Sequence, residues 1–158
     1  MRRSRAIVVT AAGALAVLIG CFLTWVTDGG AFNFSGFQLA PSIFYGDPFK
    51  GPPELRAHPT ALTSAGAMIV VVTLLGVVLM FRRPWAAGIA GVVVLASTLL
   101  VVMTLDRTID YSVPGSIGPG LIIMGAGGLV MLVGAVVAEI GRRGAERRSV
   151  GRLATAGR

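Results

Sequence analysis

Residues 14–26 read ALAVLIGCFLTWV. Leu18-Ile19-Gly20-Cys21 has the form of the end of a bacterial lipoprotein signal, where the cysteine receives the lipid. The same letters also form the middle of an apolar membrane helix. In the lipoprotein reading Met1–Arg5 is the charged leader, Ala6–Val17 its apolar core and Cys21 the lipidated first residue. Against it, the chain after Cys21 continues Phe-Leu-Thr-Trp-Val, where a mature lipoprotein has a polar tether. The uncharged run Ala6–Val26 has 21 residues, and a helix needs roughly 20 to cross the hydrocarbon layer. That length favours an uncleaved first helix, with lipidation of Cys21 as the alternative.

Three further blocks match it. Thr60–Phe81, Trp85–Leu105 and Gly118–Ile140 have 22, 21 and 23 residues, with Glu139 as their one charge. In lipid a lone segment must satisfy its own backbone hydrogen bonds, so each block is expected to be a helix. The composition agrees: 54% hydrophobic, 13% charged and a mean hydropathy of +0.81. The expected fold is all-α, a four-helix transmembrane bundle with helices near 6–26, 60–81, 85–105 and 118–140. Pro59, Pro84 and Pro119 lie at the starts of blocks, where a missing N–H does least harm.

Arginine orients the bundle. Arg2, Arg3, Arg5, Arg82, Arg83 and the six arginines after block four put 11 of 14 basic residues on one side. The other side holds Lys50, Arg56 and Arg107 against five carboxylates. The positive-inside rule places both termini in the cytoplasm of a bacterial plasma membrane. Trp25 and Trp85, with Arg82, Arg83, Arg142 and Arg143, are expected as interface anchors. The basic tail, residues 141–158, should hold anionic lipid. It lacks the aromatic interleaving of a nucleic-acid surface, so no nucleic-acid partner is expected.

The sequence offers little chemistry. Catalytic and ion-coupled membrane proteins carry ionisable groups inside the bilayer, and no block has one near its centre. Glu139 stands three and four residues before Arg142 and Arg143, the spacing of a paired boundary residue. His58 and Glu54 alone do not make a metal site. The single cysteine excludes an internal disulfide or a CxxC redox pair. No cofactor and no enzymatic activity are expected. Small residues recur every four positions at Ala12, Ala16 and Gly20, at Ala87 and Gly91, and at Gly134 and Ala138, a pattern that lets helices approach closely.

The outer segment, residues 27–59, is unusually aromatic, with Phe32, Phe34, Phe37, Phe44, Tyr45 and Phe49. AFNFSGF at 31–37 alternates apolar and polar residues, as a short extended piece or β-turn does. A partly ordered cap is expected. It serves either as a structural lid or as a docking surface for a membrane-protein partner.

Phe22-Leu23-Thr24-Trp25, Ser35-Gly36-Phe37 and Gly118-Pro119-Gly120-Leu121 carry a resemblance. The chain resembles small actinobacterial four-helix integral membrane proteins whose first helix ends in Phe-Leu-x-Trp, among them the tryptophan-operon-associated membrane proteins. Thr24 stands where those proteins have proline. The resemblance implies a fold and a lineage, with no activity attached. Three functions remain open: a non-enzymatic accessory or scaffold component of a membrane complex, a small oligomeric transporter or pore, and a lipid-anchored envelope protein processed at Cys21.

Overall fold

The first helix, α1, spans Arg2–Phe22. It stops four residues short of the expected end at Val26. From Thr24 the chain is β-branched or aromatic at four successive positions, Thr-Trp-Val-Thr, which suits a pleated strand better than a helix. It forms β1, Thr24–Asp28. The chain continues through β2 at Phe32–Ser35, a 3₁₀ turn at Pro41–Tyr45, α2 at Ala65–Met80, α3 at Trp85–Thr108, β3 at Gly115–Ile117 and α4 at Pro119–Ala156. The computed structural model describes residues 2–28, 32–39, 41–45, 63–83, 85–108 and 115–156. His58, Glu54 and Phe49 lie outside the described residues.

Three helices are long and apolar enough to cross a membrane: Ser4–Phe22, Trp85–Thr104 and Pro119–Gly144. The fourth, α2, has 16 residues, about 24 Å of helix at 1.5 Å per residue. It begins later than Thr60 because Ser64 caps it. Ser64 is extended (φ −82°, ψ 158°), and its Oγ accepts from the Ala67 N–H at 3.2 Å. The Ala65 and Gly66 N–H groups donate to the carbonyls of Leu39 and Gly36 at 2.9 and 2.8 Å. Donors that a helix start leaves without partners are thus taken up by the loop at residues 36–39.

The tail also differs from expectation. No break occurs at Ile140; α4 runs on to Ala156, 38 residues in all. Gly141 and Gly144 have open space around them, so this stretch projects past its neighbours.

Around the bundle the order of contact is α1, α4, α3, α2 and back to α1, and α1 with α4 is the most extensive pairing. They run antiparallel, locked by glycines seven apart. Gly13 faces Gly127 and Met131, Gly20 faces Gly120 and Met124, and Gly134 faces Thr10. A Cβ on Gly13 would lie 2.7 Å from the Met131 nitrogen, and one on Gly127 2.7 Å from the Gly13 carbonyl oxygen. Only backbone-to-backbone contact fits there, as in close membrane helix pairs. The four-residue stripe read from the sequence is therefore corrected on α1. Gly20 belongs to the contact, but Ala12 is exposed and Ala16 half-buried. On α3, Ala87 and Gly91 are both buried, with Gly91 against the Gly128 carbonyl of α4.

The core threads this bundle through Val17, Cys21, Ile69, Val94, Met124 and Met131. The outward faces are apolar too: Met68, Val71 and Leu75 on α2 and Ile89, Val92 and Leu99 on α3 are exposed. Such a surface suits lipid as its solvent, since a water-exposed helix face is polar.

Candidate functional site

At one end of the bundle sits a three-stranded sheet in the order β2-β1-β3, antiparallel throughout. Val26 pairs Phe34 on one side and Ile117 on the other. The register between β1 and β2 shifts between Thr24 and Val26, which makes Trp25 a bulge residue. The bulge aims Trp25 inward. It is fully buried, at 0% exposure. Its indole N–H donates to the Gly20 carbonyl at 2.9 Å, satisfying an acceptor at the open end of α1. Its own carbonyl accepts from the Gly118 N–H at 2.8 Å. Its ring lies against Gly36, where a Cβ would come within 2.5 Å of Cζ2.

The expectation that Trp25 anchors the chain at the lipid interface is corrected. Its ring joins α1, the sheet and the loop before α2 into one body. Trp85 does lie at a surface position, 47% exposed, with the Arg83 guanidinium 5.8 Å from its ring centroid.

Three short stretches noted in the sequence meet at this junction. Trp25 comes from the first, Gly36 and Phe37 from the second, and Gly118, Gly120 and Leu121 from the third. Phe37 packs on Phe22 with ring centroids 4.7 Å apart. Gly120 sits against the carbonyls of Gly20, Leu23 and Thr24, and Leu121 is fully buried.

The described aromatic residues of segment 27–59 divide. Phe37 and Phe44 are half-buried against the core, and Ile43 of the 3₁₀ turn is fully buried. Phe34 is exposed, at 38%. Phe32 in β2 and Tyr45 at the end of the 3₁₀ turn are placed by their backbone.

Cys21 is fully buried in the core with Trp25. The residue that the lipoprotein reading would expose is enclosed, and the α1 that it would remove supplies half of the closest helix pair.

At the opposite end the arginines gather. Met80, Ala87 and Ala135 form a small second core there, with Ile7 against it. Arg5, Arg82, Arg83, Arg142 and Arg143 are exposed at this end. Glu139 accepts from Arg142 at 3.1 and 3.2 Å and from Arg143 at 3.0 Å, the pairing its spacing predicts. Beside it an apolar groove of about 490 Å³ runs between α3 and α4, from Trp85, Glu139 and Arg143 past Gly88 and Ala135 to Val93.

Three threonine hydroxyls turn back on their own helices. Thr10 donates to the Ala6 carbonyl at 3.0 Å, Thr73 to Ile69 at 2.8 Å and Thr98 to Val94 at 2.8 Å. Among the described residues no group of three His, Cys, Asp or Glu side chains could hold a metal ion. No protein-family model and no curated protein matches this chain.

Proposed function

We propose that the protein is a non-enzymatic accessory or scaffold component of a bacterial membrane complex. It sits in the plasma membrane with both termini in the cytoplasm and α2 as a fourth, short span. The orientation rests on Arg5, Arg82, Arg83, Arg142 and Arg143 sharing one end of the bundle. The function rests on the cap. Hydrogen bonds from Trp25, Gly118, Ala65 and Gly66 tie it to α1, α2 and the start of α4. A sheet held so firmly gives the outer end a fixed shape, with Phe34 on its surface, and a fixed apolar surface is what a partner needs. The back-bonded hydroxyls of Thr10, Thr73 and Thr98 weigh in the same direction, since a conducting bundle would turn such groups toward its cargo.

The test is a mild-detergent pull-down of the natively expressed, C-terminally tagged chain, read by native gel and mass spectrometry. A stoichiometric partner that survives washing and is lost with Phe34→Asp is the expected result. Recovery as a homo-oligomer alone overturns the accessory role and favours transport.

A further inference from the structure

The groove between α3 and α4 is asymmetric along its length. Its floor is made by small residues, Gly88 of α3 facing Ala135 of α4, where a Cβ on Gly88 would lie 3.2 Å from the Ala135 Cβ. Ile89, Val92 and Val136 stand along its rims, all about half-exposed. From Trp85 to Val93 it follows nine residues of α3, a rise of about 12 Å. One end is therefore a channel of hydrocarbon. The other end carries Arg143 and Trp85, with Arg83 over the Trp85 ring, and Arg82 and Arg142 nearby in sequence. Glu139 offsets one of these charges and holds Arg143 through its Nε. A guanidinium has five donors, so an arginine held through Nε can still grip a phosphate with its remaining N–H groups.

We propose that this groove binds one anionic phospholipid, with an acyl chain along Gly88, Val92 and Ala135 and the headgroup phosphate between Arg83 and Arg143. Charge selects this occupant. All copies of a membrane protein share one orientation, so a second copy facing this groove would bring its own arginines level with these, like charge against like. A neutral lipid fills the channel but leaves the arginine end without a counter-charge. The inference goes beyond the accessory role and holds for either orientation, because the groove and its arginines belong to α3, α4 and the turn that leads into α3.

The experiment is native mass spectrometry of the full chain in mild detergent, titrated with phosphatidylglycerol, with phosphatidylcholine and with inorganic phosphate alone. One phosphatidylglycerol should stay bound at collision energies that strip phosphatidylcholine. The double variant Arg83→Gln/Arg143→Gln should weaken it about tenfold or more. Val92→Trp, a bulky ring at an exposed position on the rim, should remove the adduct while leaving every charge in place. Equal retention of the two lipids overturns the proposal. So does equal binding of inorganic phosphate, an adduct indifferent to Val92→Trp, or a dimer that forms as lipid is removed.

Discussion

The indole N–H of Trp25 bonds to the Gly20 carbonyl at 2.9 Å while its ring lies on Gly36. One side chain thus closes α1 and seats the loop that leads to α2. Gly36→Ala has no room for its methyl and should destabilise the protein by about 1–3 kcal/mol, the usual cost of overpacking. Trp25→Phe keeps an aromatic ring but loses the bond, at a cost of about 1 kcal/mol or more. Thermal unfolding in detergent, followed by tryptophan fluorescence for the first and by circular dichroism for both, measures the two losses.

The seven-residue glycine ladder makes a position-specific prediction. Gly127→Ala and Gly20→Ala should each push α1 from α4 and lower stability by about 1–3 kcal/mol. Gly141→Ala and Gly144→Ala meet nothing within 4 Å. There the better helix propensity of alanine, about 1 kcal/mol over glycine, should leave stability unchanged or raised. Equal effects at all four positions would refute the ladder as the lock between the helices.

Ser64→Ala removes the hydroxyl that accepts from the Ala67 N–H. The expected loss is about 1 kcal/mol, and Ser64→Gly should cost less. Amide exchange at the start of α2 should quicken in both variants, with the centre of α3 unchanged.

Cys21 should be present as an unmodified thiol on an uncleaved chain. Intact-mass measurement of the natively expressed protein tests this directly. A diacylglyceryl adduct on a chain beginning at Cys21 would show that α1 is a leader. A maleimide should react slowly with the folded protein and quickly after denaturation, since the thiol is buried.

A fluorescent protein fused to the C-terminus should glow, and alkaline phosphatase at the same place should be inactive. The opposite pair of results would invert the orientation drawn from the arginines.

Three helices were readable because each is an apolar run long enough to cross a membrane, and the Glu139 pair because helical spacing alone brings it to Arg142 and Arg143. The end of α1 was not. Leu23-Thr24-Trp25-Val26 is as apolar as the helix before it, and hydropathy does not distinguish a buried strand from the last turn of a helix. The same ambiguity put Trp25 at the lipid interface, whereas the bulge that turns it inward depends on pairing with β2. β3 has only three residues and no pattern of its own. The cap of α2 carried a signal in Ser64 that block hydropathy passed over. The ladder was visible as Gly13 and Gly20 against Gly120, Gly127 and Gly134, but a four-residue search on α1 does not find a seven-residue period. The groove between α3 and α4 had no signature, because it arises from how two helices are rotated against each other.

The closest pairing in the molecule joins its first helix to its last. During synthesis α1 leaves the ribosome before α4, which emerges some hundred residues later. Until then Gly13 and Gly20 face lipid with no backbone against them, and β1 waits for β3 on one edge. The hairpin of α2 and α3 must insert beside a helix that has not yet found its seat. Any truncation before Pro119 would leave a chain that can enter the membrane but has no means to close, a natural substrate for membrane quality-control proteases.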